Sequence, residues 1–238
     1  VNYTIYPSGA VNVAARFTST DMDAAQTEVS ESTRTATFTP GRDAARKEAS
    51  KLNVPRIGVR FRLPASMNQV EYFGRGPAEN YLDRNAGSMV GLYKSTAEEL
   101  YFPYVRPQEN GHHTDTRWVS LSTGKKGLLI QADNTIGFNA LRNSIEDFDD
   151  EEATGLSRQW SNFTPEQVAN HDEAAAKNVL RRQHHINDIT PRDFVEVCVD
   201  LKQQGVAGYD SWGSRPEPAY TLPANREYNW GFTLIPLK

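Results

Sequence analysis

Three short segments of the sequence combine aromatic, glycine, proline and charged residues, which are the residue types that recognise sugars in loops. They span residues 72–84, 104–118 and 208–214. An aromatic ring binds the apolar face of a pyranose, while neighbouring polar side chains fix its orientation. Arginine and carboxylate side chains in the same segments form bidentate ion pairs that tie loops down. We interpret the first segment as structural, with ion pairs that hold the loops and aromatic residues that close one end of the fold.

The third segment is interpreted as a binding loop because of its tryptophan. Trp212 lies among Asp210, Ser211, Gly213 and Ser214. Their side chains are too small to cover an indole, so the ring face is expected to stay open. An open indole flanked by polar groups suits the apolar face of a sugar. The segment therefore predicts a carbohydrate-stacking loop.

Other catalytic patterns are incomplete. Residues 86–91 have the wrong spacing for the Gly-x-Ser-x-Gly turn of a serine nucleophile. Residues 74–79 lack the third glycine of a dinucleotide loop. Cys198, the only cysteine, alternates with valines and is predicted to be a buried, inert thiol. A pair of hydrolase carboxylates from different strands stays possible, because spacing along the chain does not test it.

No metal site is predicted. The five histidines include the adjacent pairs His112-His113 and His184-His185. Adjacent residues on a strand face opposite sides, so such a pair rarely ligates one metal, and we interpret both pairs as polar loop histidines. Residues 146–152 carry six carboxylates in seven positions but lack the glycine and terminal glutamate of a calcium loop. This run is predicted to be a solvated surface loop.

The composition is that of a water-soluble globular chain. Hydrophobic residues make up 38% and charged residues 24% of the 238 residues. No apolar stretch approaches the roughly 20 residues of a membrane span. The net charge is only -4, so neither a nucleic acid nor an anionic membrane is predicted as a partner. Four tryptophans, ten tyrosines and ten phenylalanines instead favour a sugar as ligand.

The elements that position these segments are predicted to be β-strands. Apolar and polar residues alternate with a period of two at 11–17, 57–63, 195–201 and 230–234. This pattern is typical of half-buried strands with one solvated face. Shorter strand-like runs lie at 33–39, 70–73, 101–105, 117–121 and 128–131. Since turn residues separate these runs, the sequence predicts an all-β fold, a large antiparallel β-sandwich.

Two segments interrupt the strand pattern and are predicted to contain short helices. Thr164, followed by Pro165 and Gln167, forms a capping box, and residues 43–51 are rich in alanine and charge. We interpret 20–53 and 146–183 as surface insertions. The rest of residues 1–238 is predicted to form a single domain.

These motifs resemble the C-terminal domain of bacterial β-galactosidases of glycoside hydrolase family 2. The resemblance covers about two thirds of the chain, in the family's order, and its blocks are very specific. The matching blocks lie at 55–58, 72–84, 106–111, 114–118 and 210–213.

The resemblance implies a sandwich of the galactose-mutarotase-like type that packs on a separate (β/α)8 barrel. In the family the barrel carries both catalytic glutamates, and any metal ions of the whole enzyme are expected there. Nothing in these 238 residues matches either glutamate. We therefore expect a portion of a longer, oligomeric enzyme, with no catalytic residue, metal or cofactor of its own. Its expected partners are that barrel and a galactoside substrate.

The resemblance also assigns roles to individual residues. Trp212 matches the tryptophan that stacks on the leaving sugar, and Asp210 and Ser211 are expected to shape its loop. Five other residues are expected to form structural ion pairs, some at the seam between sandwich and barrel: Arg75, Glu79, Arg106, Glu109 and Asp115.

Three alternatives belong to other functional classes. One is a free-standing carbohydrate-binding module that uses Trp212 as its platform. A second is an aldose mutarotase, for which Glu109 with His112 or His113 forms the only tempting cluster. A third is a purely structural or oligomerisation module.

Overall fold

Antiparallel strands form the fold. The structure is a computed structural model and describes residues 1–18, 53–148, 186–210 and 213–237. Helical structure in these ranges is limited to 3-10 turns, and none of it is long and apolar enough to cross a membrane. The strands are β1 (Asn2–Ile5), β2 (Val11–Phe17), β3 (Arg56–Pro64), β4 (Gln69–Gly76), β5 (Met89–Thr96), β6 (His113–Ser122), β7 (Gly127–Leu141), β8 (Phe194–Gln203) and β9 (Tyr228–Leu237). The predicted all-β class is confirmed.

The sheet branches at β7, which is 15 residues long. On one side β7 pairs with β6 between Gly127 and Phe138, and on the other side its first half pairs with β9. Its second half pairs with β8, and β8 pairs in turn with β3. The main path runs β1-β2-β9-β7-β6-β4-β5, so β3 and β8 lie off this path. This arrangement agrees with the predicted antiparallel sandwich.

One face of nearly every strand contributes to a common hydrophobic core. Tyr72 of β4 is completely buried, and its ring contacts the rings of Phe138 and His113 at centroid distances of 5.1 and 4.9 Å. The alternating residues of β6 and β8 meet this ring cluster, because a period of two places them on one face. The core therefore links both branches of the sheet. Its other buried members include Val13, Val70, Val119, Leu121, Ile130, Val195, Val197, Val199 and Phe232.

The prediction that one face of β8 is solvated is wrong. Glu196, Cys198 and Asp200 are only 3%, 3% and 1% exposed. The reason is that β8 lies between β3 and β7, so arginines of β3 cover this face through ion pairs. Arg62 Nε, for example, lies 3.0 Å from Glu196 Oε2. The predicted buried thiol is confirmed, and burial raises the pKa of Cys198 to about 12.

Residues 101–105, predicted as a strand, form a loop. Pro103 lacks the N–H that a strand would donate. The Phe102 N–H instead donates to the Asn110 side chain at 3.1 Å, which folds the loop back on the second motif segment.

The acidic run at 146–152 is exposed at Glu146, but its prediction as a solvated loop is wrong at Asp147 and Phe148. Both are buried, and the Phe148 ring stacks on Tyr101 at 6.0 Å. Asp147 accepts the Ser144 N–H at 2.9 Å and pairs with Arg192. The hydrogen bond to Ser144 and the ion pair with Arg192 therefore hold Asp147 in the interior. The rest of the run, both predicted helices and the predicted strand at 33–39 lie outside the described residues.

Candidate functional site

Glu79 joins the first two motif segments. Its side chain is 6% exposed and accepts the Gly111 N–H at 2.6 Å. It also accepts hydrogen bonds from the Arg84 guanidinium and the Tyr104 hydroxyl. Burial and the bond to Glu79 raise the pKa of Tyr104 above its usual range, so the phenol stays a donor. The carboxylate therefore acts as a node between residues 72–84 and 104–118.

Asn80 and Arg75 complete the connection. The Asn80 amide is fully buried and donates to the backbone oxygens of Arg75 and Ala78, each at 3.1 Å. Its oxygen accepts the N–H and the hydroxyl of Thr114, at 3.0 and 2.6 Å. Arg75 Nε donates to Asp115 at 2.5 Å. Because these polar groups all have partners, the two segments form one stable platform.

Asp83 ties the third motif segment to this platform. Its carboxylate accepts the backbone N–H groups of Val206 and Ala207 at 3.2 and 2.7 Å. The Tyr209 hydroxyl donates to the same carboxylate at 3.4 Å. A Cβ at Gly205 would lie 2.5 Å from Asp83 Cγ, so glycine is required at this close approach. The first segment thus positions the start of the predicted binding loop.

The predicted binding loop is closed at its base. The Tyr209 N–H donates to Ser214 Oγ at 3.0 Å, and the Ser214 N–H donates to Asp210 Oδ1 at 3.3 Å. Asp210 itself is exposed. Both bonds connect the chain before and after Ser211 and Trp212, which lie outside the described residues. The role of Trp212 therefore stays a prediction, on a loop whose base is anchored.

Replacing Asp83 with alanine is expected to loosen this loop. The change removes a charged acceptor from two N–H groups and one hydroxyl, at a cost of about 1–3 kcal/mol in the free energy of unfolding. Limited chymotrypsin digestion should then cut faster after Tyr209, with Asp193→Ala as a control at an exposed aspartate. Equal cleavage rates in both variants would contradict the anchoring role.

A second polar group, here called the Arg56 cluster, comprises Arg56, Glu109, His112, Asn139 and Asp200. Arg56 Nε donates to Asp200 Oδ2 at 2.9 Å, and its Nη1 lies 3.6 Å from Glu109. The Asn139 amide donates to Glu109 at 3.2 Å, and its oxygen bonds His112 Nδ1 at 2.8 Å. Four elements contribute these side chains: β3, β7, β8 and the loop before β6.

Burial controls the charges of the Arg56 cluster. Loss of solvation and the nearby Arg56 lower the pKa of His112 to about 3, so the imidazole is neutral. Burial raises the pKa of Asp200 to about 7, although Arg56 favours the ionised form. Only Arg56 and Glu109 retain appreciable exposure, at 18% and 26% of their side chains.

The prediction of polar loop histidines is wrong for the second segment, because both of its histidines are buried. His112 and His113 are each 1% exposed. Tyr81 stacks on His112 at 5.6 Å, while His113 lies against backbone oxygens of Gly111 and Pro77. A general acid or base must reach its substrate, so this packing does not favour the mutarotase alternative.

The five residues expected in ion pairs occupy different environments. Arg75 pairs with Asp115, Glu79 with Arg84, and Glu109 with Arg56. Arg106 is exposed, and no ion pair to it occurs within the described ranges. A seam with another domain stays a prediction for Arg106, Glu109 and Asp115. Sequence reasoning did not single out Asp83, Asn80 or Asn139, although Asp83 and Asn80 lie inside the first motif segment.

Comparison with known proteins gives a consistent result. A family model described as "Beta galactosidase small chain" matches residues 1–234. A beta-galactosidase of Priestia megaterium is 35% identical over 185 residues, which cover 77% of this chain and 15% of that protein. A beta-galactosidase of an Arthrobacter species is 40% identical over 111 residues, 44% of this chain and 11% of that protein. One from Halalkalibacterium halodurans is 25% identical over 235 residues, 98% of this chain and 18% of that protein. The chain thus spans less than a fifth of the length of these relatives.

Proposed function

The chain belongs to the family of the beta-galactosidase small chain, and we propose that it is the C-terminal β-sandwich of a β-galactosidase. In this proposal the chain is not catalytic by itself and helps to build the active site of a neighbouring barrel. The observation that carries it is the anchoring of residues 205–209, which lead into the predicted binding loop, by Asp83. An anchored loop holds a stacking residue in place at little entropic cost on binding.

The proposed division of labour follows the retaining mechanism. One carboxylate attacks the anomeric carbon and another protonates the leaving oxygen, at a separation of about 5–5.5 Å. Both carboxylates belong to the barrel. This chain contributes the Trp212 indole, on which the leaving sugar stacks, while Asp210 and Ser211 shape the loop. Stacking away from the reacting bond stabilises the ground state and the transition state alike, so it affects KM more than kcat.

Three carboxylates of the first two motif segments have partners that support a structural rather than a catalytic role. Glu79 is occupied by Arg84, Tyr104 and the Gly111 N–H. Asp83 is bound to backbone N–H groups, and Asp115 to Arg75. A carboxylate with its oxygens committed to such partners is a poor nucleophile or general acid.

Replacing Trp212 with alanine in the enzyme that carries this chain is expected to raise KM for disaccharides by about three- to tenfold. The change removes the stacking surface for the leaving sugar and leaves the barrel intact, so kcat should change little. Steady-state kinetics on lactose test this. Methyl β-galactoside, whose leaving group cannot stack, should show a smaller change.

Tyr3→Ala is the matched control, because it removes an exposed aromatic ring from the edge strand β1. This variant should keep the wild-type KM. The stacking role is wrong if Trp212→Ala also keeps it, or if kcat falls while KM does not change.

A further inference from the structure

Two rows of side chains cross the face of the sheet that points away from the core. In the first row the register aligns Leu92, Phe73, Trp118 and Gln131, from β5 to β7. In the second row it aligns Lys94, Glu71, Ser120 and Leu129. Trp118 therefore lies near the middle of a broad face, between Phe73 and Gln131 in its own row and beside Ser120 of the second row.

A cleft of about 360 Å³ opens on this face. Ligand clefts in proteins typically measure about 300–1,000 Å³, so its size suits one sugar ring. Its floor and walls combine one aromatic ring, two aliphatic side chains and three hydrogen-bonding groups. The lining residues are Glu71, Trp118, Ser120, Leu129, Gln131 and Leu237.

The polar groups of the cleft are available to a ligand. Within the described ranges, neither the Trp118 indole N–H nor the Gln131 amide makes a hydrogen bond. Glu71 Oε2 lies 3.5 Å from Lys94 Nζ, and the remaining lone pairs of the carboxylate can accept bonds from hydroxyl groups. The Ser120 hydroxyl donates only a long bond, 3.4 Å, to the Glu71 backbone oxygen.

We propose that this cleft binds a neutral pyranose unit of a saccharide, at a site separate from the Trp212 loop. The indole of Trp118 would contact the apolar face of the ring. The carboxylate of Glu71 and the amide of Gln131 are planar groups that bond neighbouring hydroxyls, one as an acceptor and the other as both donor and acceptor. Leu129 and Leu237 close the sides.

The chemistry of the lining selects this ligand over two others. Among the lining residues the charged one is Glu71, which Lys94 offsets at 3.5 Å, so the cleft offers no net positive charge to a phosphorylated or other anionic ligand. A purely apolar partner would bury the Gln131 amide and the Glu71 carboxylate without hydrogen bonds, which is unfavourable. A neutral, hydroxyl-rich ring satisfies both groups and covers the indole. The site goes beyond the proposed function, since it needs no barrel.

Titration of the 238-residue chain with methyl β-D-galactopyranoside and with lactose tests the site. We expect a dissociation constant of about 1–10 mM by calorimetry, and saturation transfer to the sugar ring protons in NMR. Trp118→Ala should weaken binding at least about tenfold, and Gln131→Leu at least about threefold. Trp212→Ala should leave this binding unchanged, which separates the site from the proposed stacking loop.

Near-UV circular dichroism and a cooperative thermal transition establish that each variant is folded. Gln131→Leu lies at an exposed position, so it tests the site even if the tryptophan variant does not fold. Tyr3→Ala serves as the control for loss of an exposed aromatic ring. The proposal is overturned by absence of binding to the folded chain, by binding that survives both cleft variants, or by binding that disappears with Trp212→Ala alone.

Discussion

Replacing Arg56 with methionine is expected to lower the free energy of unfolding by about 3–5 kcal/mol at pH 8, where Asp200 is ionised in the wild type. Asp200 is 1% exposed, and Arg56 is the cation that bonds its carboxylate. Without the guanidinium, the folded protein must either bury an uncompensated charge or take up a proton on Asp200. Urea denaturation followed by fluorescence measures the change. The loss should be greater at pH 8 than at pH 6, because protonation of Asp200 relieves it.

The matched control is Arg62→Met. Arg62 also lies on β3 and pairs with a buried carboxylate, Glu196, but its side chain is 53% exposed. Exposed pairs contribute about 0–1 kcal/mol, so this variant should lose little stability. The double variant Arg56→Met with Asp200→Leu should recover part of the loss, because no buried charge remains. Equal losses for Arg56→Met and Arg62→Met would contradict the assignment of Arg56 as the essential counterion.

The strands that the sequence predicts well are those with one buried face. In β2 the predicted and observed bounds are both 11–17, because the exposed Ala14 and Arg16 alternate with the buried Val13 and Ala15. In β8 the alternation is equally clear, but it does not reveal that ion pairs with β3 cover the polar face. Periodicity reports which residues share a face and does not report what lies against it.

The sequence pattern predicts only a short part of β7. Only 128–131 has a strand-like pattern, whereas the strand continues to Leu141. Its second half contains Asn134 and Asn139, which are unfavourable in strands. Asn139 is nevertheless buried there, because Glu109, His112 and Arg56 satisfy its amide. Tertiary hydrogen bonds thus override the local preference.

The candidate site divides into local and non-local parts. Arginines and carboxylates within residues 72–84 and 104–118 predict ion pairs, and Glu79–Arg84 and Arg75–Asp115 are such pairs. The contact of Asp83 with Ala207 joins positions more than 120 residues apart in the sequence. No pattern in one sequence specifies such a pairing. The loop anchor therefore emerges only from the fold.

The free energy of unfolding is expected to depend little on the protonation of the Arg56 cluster between pH 3.8 and 6.5, because two contributions oppose each other. His112 has a folded pKa of about 3, below its ordinary 6.5. Its contribution to the free energy of unfolding is therefore complete above pH 6.5 and is lost as the pH falls toward 3. Asp200 has a folded pKa of about 7, above its ordinary 3.8. Its contribution is complete below pH 3.8 and is lost as the pH rises to 7.

Single replacements should expose each contribution. The His112→Asn variant keeps a donor for Asn139. Relative to the wild type, its free energy of unfolding should fall by about 1.4 kcal/mol for each unit by which the pH rises between 3.8 and 6.5. In Asp200→Asn it should rise with pH by a similar amount over the same interval. Urea titrations at steps of half a pH unit give these slopes. The comparison is between slopes because each replacement also lowers the overall stability.

Parallel profiles for the wild type and both variants would mean that the two groups exchange no protons on unfolding in this interval. Opposite slopes would instead establish that the imidazole is buried neutral and that the carboxyl takes up a proton when the protein folds.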